Sequence, residues 1–319
     1  MIETKPCVPA ELNVTLLKGG RSGEREVSLA SGEACASALR EEGFEVTEID
    51  TADDDMIEQI VASKPDVVFI ALHGKDGEDG CVQGLCELLR VPYTGPGVLA
   101  SAVAMDKTRA KVFYQAAGLP TAPWVNLSRE QEHDLQEVQS VVGERCVVKP
   151  VHEGSALGVH IVEHAEELAP ALDEAFQHDT HVLVERFISG TEVTVAVMGG
   201  SFPEALPVIE IVPQESSAFY DFEAKYATGG AQHIIPARLD EQVYARCQDL
   251  AVKAHEALGC WAVSRTDMII DDEGKCWLLE TNTIPGMTAT SLLPDAASKV
   301  GISFNELCRK LVELALMRG

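Results

Sequence analysis

Six consecutive apolar residues, Val67-Val-Phe-Ile-Ala-Leu, run without a polar break into His73-Gly-Lys-Asp-Gly-Glu-Asp-Gly. A strand that is apolar at every position has no face to give to water. It must be covered on both sides, as in a parallel sheet flanked by helices. The preceding chain supplies the partners. Val14-Thr-Leu-Leu reads as a buried strand, Lys18-Gly-Gly-Arg-Ser-Gly as a glycine turn, and Val27, Ala30, Ala34 and Ala38 as the apolar stripe of a helix ending near Gly43. Phe44–Ile49 is a second strand, Asp53–Ser63 a helix stopped near Pro65, and Cys81–Arg90 a third helix before Val-Pro-Tyr-Thr-Gly. Strands alternating with helices give a Rossmann-like α/β unit ending near Gly95. The fingerprint G-x-G-x-x-G is absent after the first strand, which argues against a dehydrogenase.

Two residues at the carboxyl ends of these strands stand out, because open α/β sheets bind ligands there. Glu24 opens the first helix, where an acid complements the helix dipole; the functional alternative is that it holds a substrate ammonium. His73 either caps loop backbone or contacts a substrate carboxylate or acyl phosphate.

A second constraint lies further on, in Ser264-Arg-Thr-Asp-Met-Ile-Ile and Cys276-Trp-Leu-Leu-Glu-Thr-Asn. The apolar runs Met268–Ile270 and Trp277–Leu279 flank Asp271-Asp272-Glu273-Gly274-Lys275, the pattern of a β-hairpin with a glycine-containing turn. Alternation puts Arg265 with Asp267 and Glu280 with Asn282, and pairing symmetric about the turn brings Asp267 near Glu280. Two carboxylates and an amide oxygen are hard ligands of the kind magnesium takes, and an arginine beside them meets anionic groups. Acids also crowd strand ends for no functional reason, but a charge straight after an apolar run is costly unless something binds it.

Between these regions Pro96-Gly97 reads as a boundary, followed by two helices through Ala116 with Asp106-Lys107 between them. A new unit then holds Trp124-Val125, a polar helix, and Val147-Val-Lys-Pro. Lys149 ends an apolar strand and either snorkels to solvent or bridges phosphates. Gly154 and Gly158 let the loop His152-Glu-Gly-Ser-Ala-Leu-Gly turn N–H groups toward an anion, and beside Lys107 and Lys149 it reads as a phosphate cover. A helix (Ala165–Gln177) and the strand Val182-Leu-Val-Glu-Arg-Phe-Ile follow. Glu185 could accept from a ribose and the backbone at Phe187-Ile188 could meet an adenine edge; both are equally ordinary strand residues. Glu192–Met198 and Ile209–Val212 continue an antiparallel sheet. Pro213–Pro236 reads as a long polar loop whose Phe-Tyr-Asp-Phe-Glu-Ala-Lys-Tyr stretch favours a lid. Helix Glu241–Leu258, the hairpin and two helices close the chain.

Charge and cysteines exclude other classes. With 25 Lys+Arg against 51 Asp+Glu, the net charge of −26 repels polyanions, so neither nucleic acid nor an acidic membrane is an expected partner. An anionic small ligand needs a few local cations. The 9 scattered cysteines form no Cys-x-x-Cys pair and read as reduced thiols of a cytoplasmic protein. No apolar run is long enough to span a bilayer. Lysines, an arginine, glycine loops and the carboxylate–amide patch add up to a magnesium nucleotide site, while G-x-x-x-x-G-K-[ST], His-Arg-Asp and Asp-Phe-Gly are all absent.

Six ordered motifs then carry a resemblance over nearly the whole chain: Gly19-Gly-Arg-Ser-Gly-Glu-Arg-Glu-Val-Ser, Ala71-Leu-His-Gly-Lys-Asp-Gly-Glu-Asp-Gly, Tyr93-Thr-Gly-Pro-Gly with Met105-Asp-Lys, Lys149-Pro with Glu153-Gly-Ser, Glu223-Ala-Lys-Tyr, and Glu280-Thr-Asn-Thr-Ile-Pro-Gly-Met-Thr. The sequence resembles the D-alanine–D-alanine ligases of the ATP-grasp superfamily. The resemblance implies an α/β chain with ATP-grasp architecture: a Rossmann-like substrate domain (1–95) and two α+β domains (96–190 and 191–319) that grip ATP between their sheets, with a lid at 213–236. It implies cytoplasmic ligation of two D-alanines through an acyl phosphate, for peptidoglycan precursor synthesis, by a homodimer. Lys107, Lys149 and Lys225 would contact phosphates. Glu185, Phe187, Ile188 and Glu192 would hold the adenine and ribose side. Asp267, Glu280 and Asn282 would bind two magnesium ions, or manganese. Glu24, with Ser155 and Tyr226, would close the lid over the first D-alanine, near His73. Ser291 and Leu292 would meet the carboxylate of the second, and Arg265 with the backbone of Gly286 would form the oxyanion site. The family often has two serines where this chain has Ser155-Ala156, which puts a hydroxyl contact in doubt. A D-alanine–D-lactate ligase and a silent nucleotide-binding module are the rivals; Tyr226 fits the dipeptide type, and no metal ligand or phosphate lysine is lost.

Overall fold

The computed structural model describes residues 2–154, 157–213, 231–288 and 290–318, with backbone alone at 213 and 231. Residues 214–230, within the stretch expected to form a lid and including Lys225 and Tyr226, lie outside the described residues, as do Ser155, Ala156 and Ala289.

The mixed α/β reading holds. Strand β1 (Asn13–Lys18) lies between β2 (Glu45–Asp50) and β3 (Val67–Ile70), all parallel. Helix α1 (Arg25–Glu41) covers one face of this sheet, while α2 (Met56–Ser63) and α3 (Cys81–Leu89) cover the other. All four residues of β3 are buried, which is why that run carries no polar residue. Order β2-β1-β3 places the connections out of β1 and β3 side by side, so the loops bearing Glu24 and His73 open at the same end of the sheet.

Helices α4 (Val98–Met105) and α5 (Lys107–Ala116) lead into a second sheet. There β4 (Trp124–Ser128), β5 (Cys146–Pro150), β6 (His160–Val162) and β7 (His181–Arg186) pair in the order β4-β7-β5-β6. Helices α6 (Leu135–Val142) and α7 (Leu168–His178) bury its outer face around Val148, Val182 and Val184. The next strand, β8 (Thr191–Gly199), does not extend that sheet, as a continuous antiparallel sheet would require. It joins a third sheet with β9 (Glu204–Ala205), β10 (Ile209–Pro213), β11 (Ala231–Ile234), β12 (Ala262–Ile270) and β13 (Cys276–Asn282). The chain passes between sheets at Ser189-Gly190, where a Cβ on Gly190 would stand 2.0 Å from the Ile270 carbonyl oxygen. Only a residue without a side chain fits that approach.

The polar stretch expected as loop up to Pro236 contains a strand at its end: β11 pairs antiparallel with β10, from Glu210 opposite Ile234 to Pro213 opposite Ala231. Residues of mixed polarity, Ala-Gln-His-Ile, gave no apolar run to betray an edge strand. Helix α8 (Glu241–Ala257) packs on one face of the third sheet, against Val193, Val195, Met268 and Leu278. Helices α9 (Leu292–Lys299) and α10 (Phe304–Met317) join α1 and the other side of the sheet in one core. Among the described residues no helix is long and apolar enough to cross a membrane.

Candidate functional site

The β12–β13 hairpin supplies the centre of the site, by a device the sequence does not announce. Arg265 pairs with Asn282 and Asp267 with Glu280, but Met268 pairs with Leu278, so Leu279 is an extra residue with no partner opposite. Without that bulge Glu280 would share a face with Leu278 and Cys276, which are buried against α8. The bulge turns Glu280 over to the face of Arg265, Asp267 and Asn282. On that face the Asn282 amide donates to Asp267 Oδ2 at 3.3 Å, and the Arg265 guanidinium donates to both Asp267 oxygens at 2.9 Å. Thr194 of β8 donates its hydroxyl proton to Asp267 Oδ1. Lys107 stands 3.8 Å from Glu280 Oε2 and donates to the Glu153 carbonyl at 2.6 Å, tying the start of α5 to the glycine loop.

Two adjoining cavities meet at this face and share Lys107, Glu153, Asp267 and Glu280 in their walls. One, of about 430 Å³, lies between the second and third sheets and takes Lys149, Glu185, Phe187, Ile188 and Glu192 into its lining. Its size suits a nucleotide or drug-sized ligand. Its apolar walls come from Val147, Ile269 and Leu279. Phe187 already spends its N–H on the Arg145 carbonyl at 3.1 Å, and the Arg145 guanidinium lies 3.6 Å over its ring. Glu185 is buried between two ammonium groups, Lys149 at 2.6 Å and Lys111 at 2.6 Å. Burial alone would raise its pKa, but the two lysines outweigh that and hold the carboxyl down at about 2. Lys149, though desolvated, is raised by the same contact.

The other cavity is narrower and opens toward the first sheet, lined by Glu24, His73, Arg265, Asn282, Gly286, Ser291 and Leu292 among others. Glu24 turns inward at the start of α1: a Cβ on Gly74, where φ is +71°, would meet its Oε2 at 2.7 Å, so that loop closes over it as glycine, and one on Gly154 would stand 3.0 Å from the same oxygen. His73 is buried, its Nε2 3.1 Å from Ser31 Oγ and its Nδ1 3.8 Å from Glu78. Burial raises Glu78, with the nearby Glu24 charge adding to it and His73 opposing. Ser31 also accepts from the Met287 N–H at 3.4 Å, so α1 and the Gly286 loop are joined through one hydroxyl. Ser291 stands at the N-cap position of α9 with its Oγ turned to Thr288, and it packs under Gly286, where a Cβ would come within 2.8 Å of that Oγ.

All the predicted site residues that are described line one or both cavities; Ser155, Lys225 and Tyr226 are outside the described residues. Sequence reading passed over Lys111, Glu78, Ser31 and Thr194. For Lys111 a signal existed: it shares a helical face with Lys107 and Tyr114, the face that Ala110 and Tyr114 bury. The donor set Asp267, Glu280 and Asn282 is all oxygen and converges on the seam between the cavities. That chemistry fits a hard divalent cation.

Comparison with known proteins gives the family and the fold. A family profile described as D-ala D-ala ligase C-terminus matches residues 113–313, and one described as D-ala D-ala ligase N-terminus matches residues 52–96. The D-alanine–D-alanine ligase of Parvibaculum lavamentivorans is 51% identical over 309 residues, covering 95% of this chain and 97% of its own. That of Syntrophobacter fumaroxidans is 48% identical over 306 residues, covering 96% of this chain and 98% of its own. The crystal structure of D-alanine–D-alanine ligase from Bacillus anthracis complexed with ATP superposes with a TM-score of 0.84 at 31% identity, covering 96% of this chain and 98% of that one.

Proposed function

The chain belongs to the D-alanine–D-alanine ligase family, with its ATP-grasp architecture, and on that premise we propose that it joins two D-alanines at the expense of ATP. The observation that carries the reading is the convergence of Asp267, Glu280 and Asn282, beside Arg265 and Lys107, on the seam shared by a nucleotide-sized cavity and a smaller polar one. Three parts, residues 1–95, 96–190 and 191–319, divide the work, with the segment between β10 and β11 as the lid and a homodimer as the assembly.

Each residue then has a task. A carboxylate is a poor electrophile, and transfer of the terminal phosphoryl group makes the first D-alanine an acyl phosphate. Asp267, Glu280 and Asn282 would hold magnesium, or manganese in its place, which would supply charge neutralisation during phosphoryl transfer. Lys107 and Lys149, with Lys225 from the lid, meet the phosphates. Glu185 and Glu192 accept hydrogen bonds on the adenine and ribose side, beside Phe187 and Ile188. Glu24 receives the ammonium of the first D-alanine and joins Ser155 and Tyr226 in holding the lid shut, which keeps water from the acyl phosphate. His73, fixed by Ser31 and Glu78, borders the first substrate. The second substrate places its carboxylate at Ser291 and Leu292, the first turn of α9, where backbone N–H groups favour an anion. When its amine attacks, the tetrahedral oxyanion is met by Arg265 and the Gly286 N–H. Ala156 removes one hydroxyl from the phosphate cover without removing its backbone donors.

The test is phosphate release from ATP with D-alanine, L-alanine, or D-alanine plus D-lactate, compared side by side. The reading expects release and dipeptide with D-alanine alone. Phosphate release without dipeptide in every arm would leave a nucleotide hydrolase in its place, and no release in any arm would leave a silent module.

A further inference from the structure

Lys111 is the most buried cation in the described part of the cleft wall, 0% exposed, and it does not line the nucleotide-sized cavity. Burying an ammonium without compensation costs several kcal/mol, so such a lysine persists only with firm partners. Its Nζ reaches Glu185 Oε2 at 2.6 Å and donates to Thr121 Oγ1 at 2.5 Å. Thr121 in turn donates to the Leu278 carbonyl at 3.0 Å, beside the Leu279 bulge. The other ammonium on Glu185, that of Lys149, does line the cavity and stands within reach of an incoming ligand.

The two lysines therefore have different duties, although their distances to Glu185 are equal. A triphosphate entering the cavity draws Lys149 toward its oxygens, and Glu185 then depends on whatever positive charge remains. A carboxylate so buried, left with no counter-charge, takes up a proton, and a protonated carboxyl can donate as well as accept. We infer that Lys111 is a positioning residue that keeps Glu185 an acceptor-only carboxylate while Lys149 serves the phosphates, and so sets the preference of the cavity for a purine with an amino group at position 6. A carboxylate accepts from that amino group and repels the oxo group that replaces it in hypoxanthine. This inference rests on the placement of ATP given above.

The groups facing Glu185 are Lys111 from α5, Lys149 from β5, and the charges of Glu192 and Glu280 that act on Lys149 from β8 and β13. The adjoining Arg186 turns outward to the Val141 and Val142 carbonyls. Burial lowers the Lys111 ammonium and Glu185 raises it, so the pair holds its charges together or not at all.

The experiment is steady-state ligation with ATP and with inosine triphosphate by the wild type, Lys111→Met, Glu185→Gln and the double variant. Methionine keeps the length and apolar stem of lysine without its charge. For Lys111→Met the expected result is a rise of about tenfold in KM for ATP, the loss of one charged hydrogen bond, with kcat changed less. The ATP-to-inosine-triphosphate preference should fall by a similar factor. With Glu185 already an amide, adding Lys111→Met should cost little more, because no charge is left to hold. A proportional loss on both nucleotides, or full additivity in the double variant, would overturn the inference and leave Lys111 a packing residue. If Lys111→Met misfolds, Glu185→Gln/Lys111→Met restores charge balance, and its nucleotide preference against Glu185→Gln decides the matter. Failure of the wild type to ligate with ATP would instead strike at the functional reading.

Discussion

At one end of the cleft Glu185 is 1% exposed and gripped by two ammonium groups at 2.6 Å; at the other Glu280 has 28% of its side chain exposed, with Lys107 at 3.8 Å. The same functional group is thus set in two environments. A dry carboxylate in doubled ionic contact is fixed in charge and in place, which suits the recognition of a neutral donor. A wetter one, in looser contact, is a ligand that an arriving divalent cation can take over, because little desolvation has been spent on its present partner. Under the proposed function, the dry acid is the one that reads the nucleotide and the wetter one handles the changing charge of the reaction.

The strongest attempt to break that contrast is Glu280→Gln. Removing one ligand charge at the reacting phosphate is expected to lower dipeptide formation by roughly a thousandfold or more, while the thermal midpoint stays near that of the wild type. Circular dichroism melts run alongside the phosphate assay check both halves; wild-type turnover would move the metal elsewhere. Next in size is Arg265→Lys. A lysine keeps the charge but not the forked contact to Asp267, so kcat should fall by about a hundredfold with a smaller change in KM for ATP. Initial rates over a D-alanine series would show it, and a pure KM effect would assign Arg265 to binding.

The smallest effect concerns a third cluster, whose three side chains line neither cavity. His152 opens the glycine loop with Nδ1 2.9 Å from Asp179 and Nε2 3.5 Å from Asp106, the N-cap of α5. Hydrogen bonds to Asp106 and then Asp179 raise the imidazole from 6.5 to about 9, against a smaller opposing effect of burial. The stabilisation is therefore fully present below the unfolded value, near pH 6.5, and is lost as pH rises through about 9. His152→Ala should lower the melting temperature by about 1–3 °C at pH 6, discounted for a side chain this open to solvent, and by less than that above pH 9.5. A deficit independent of pH would mean that the imidazole acts by packing.

Much of this was readable in the chain. The unbroken apolar run at Val67 fixed a parallel sheet, because burial on both faces admits no other periodicity. The hairpin and its acidic patch were legible from alternation around a glycine turn. What stayed hidden is non-local. Strand β11 is built from residues with no apolar pattern and exists because β10 offers it a partner. The lysine of the buried pair looked like one more charge on a helix, since its carboxylate partner lies 74 residues further on. The juxtaposition of Asp267 and Glu280 was expected from simple pairing about the turn, yet pairing counted from Ile270 and Cys276 would have set Asp267 opposite Leu279. The bulge supplies the missing residue of offset, and a uniformly apolar Trp-Leu-Leu carries no mark of it.

That offset divides the hairpin into a part that tolerates change in length and a part that does not. Between the bulge and the tip, strand pairing rests on Met268 with Leu278 and Ile270 with Cys276. A peptide grafted into Asp272-Glu273 would only lengthen a solvent-facing arch, provided Asp271 keeps its bonds to Trp277 and Lys275. One residue gained or lost between Leu278 and Glu280 would instead exchange an acid for a leucine in the wall shared by the two cavities. The enzyme thus has a natural port for a label or affinity tag a few residues from its most length-sensitive point.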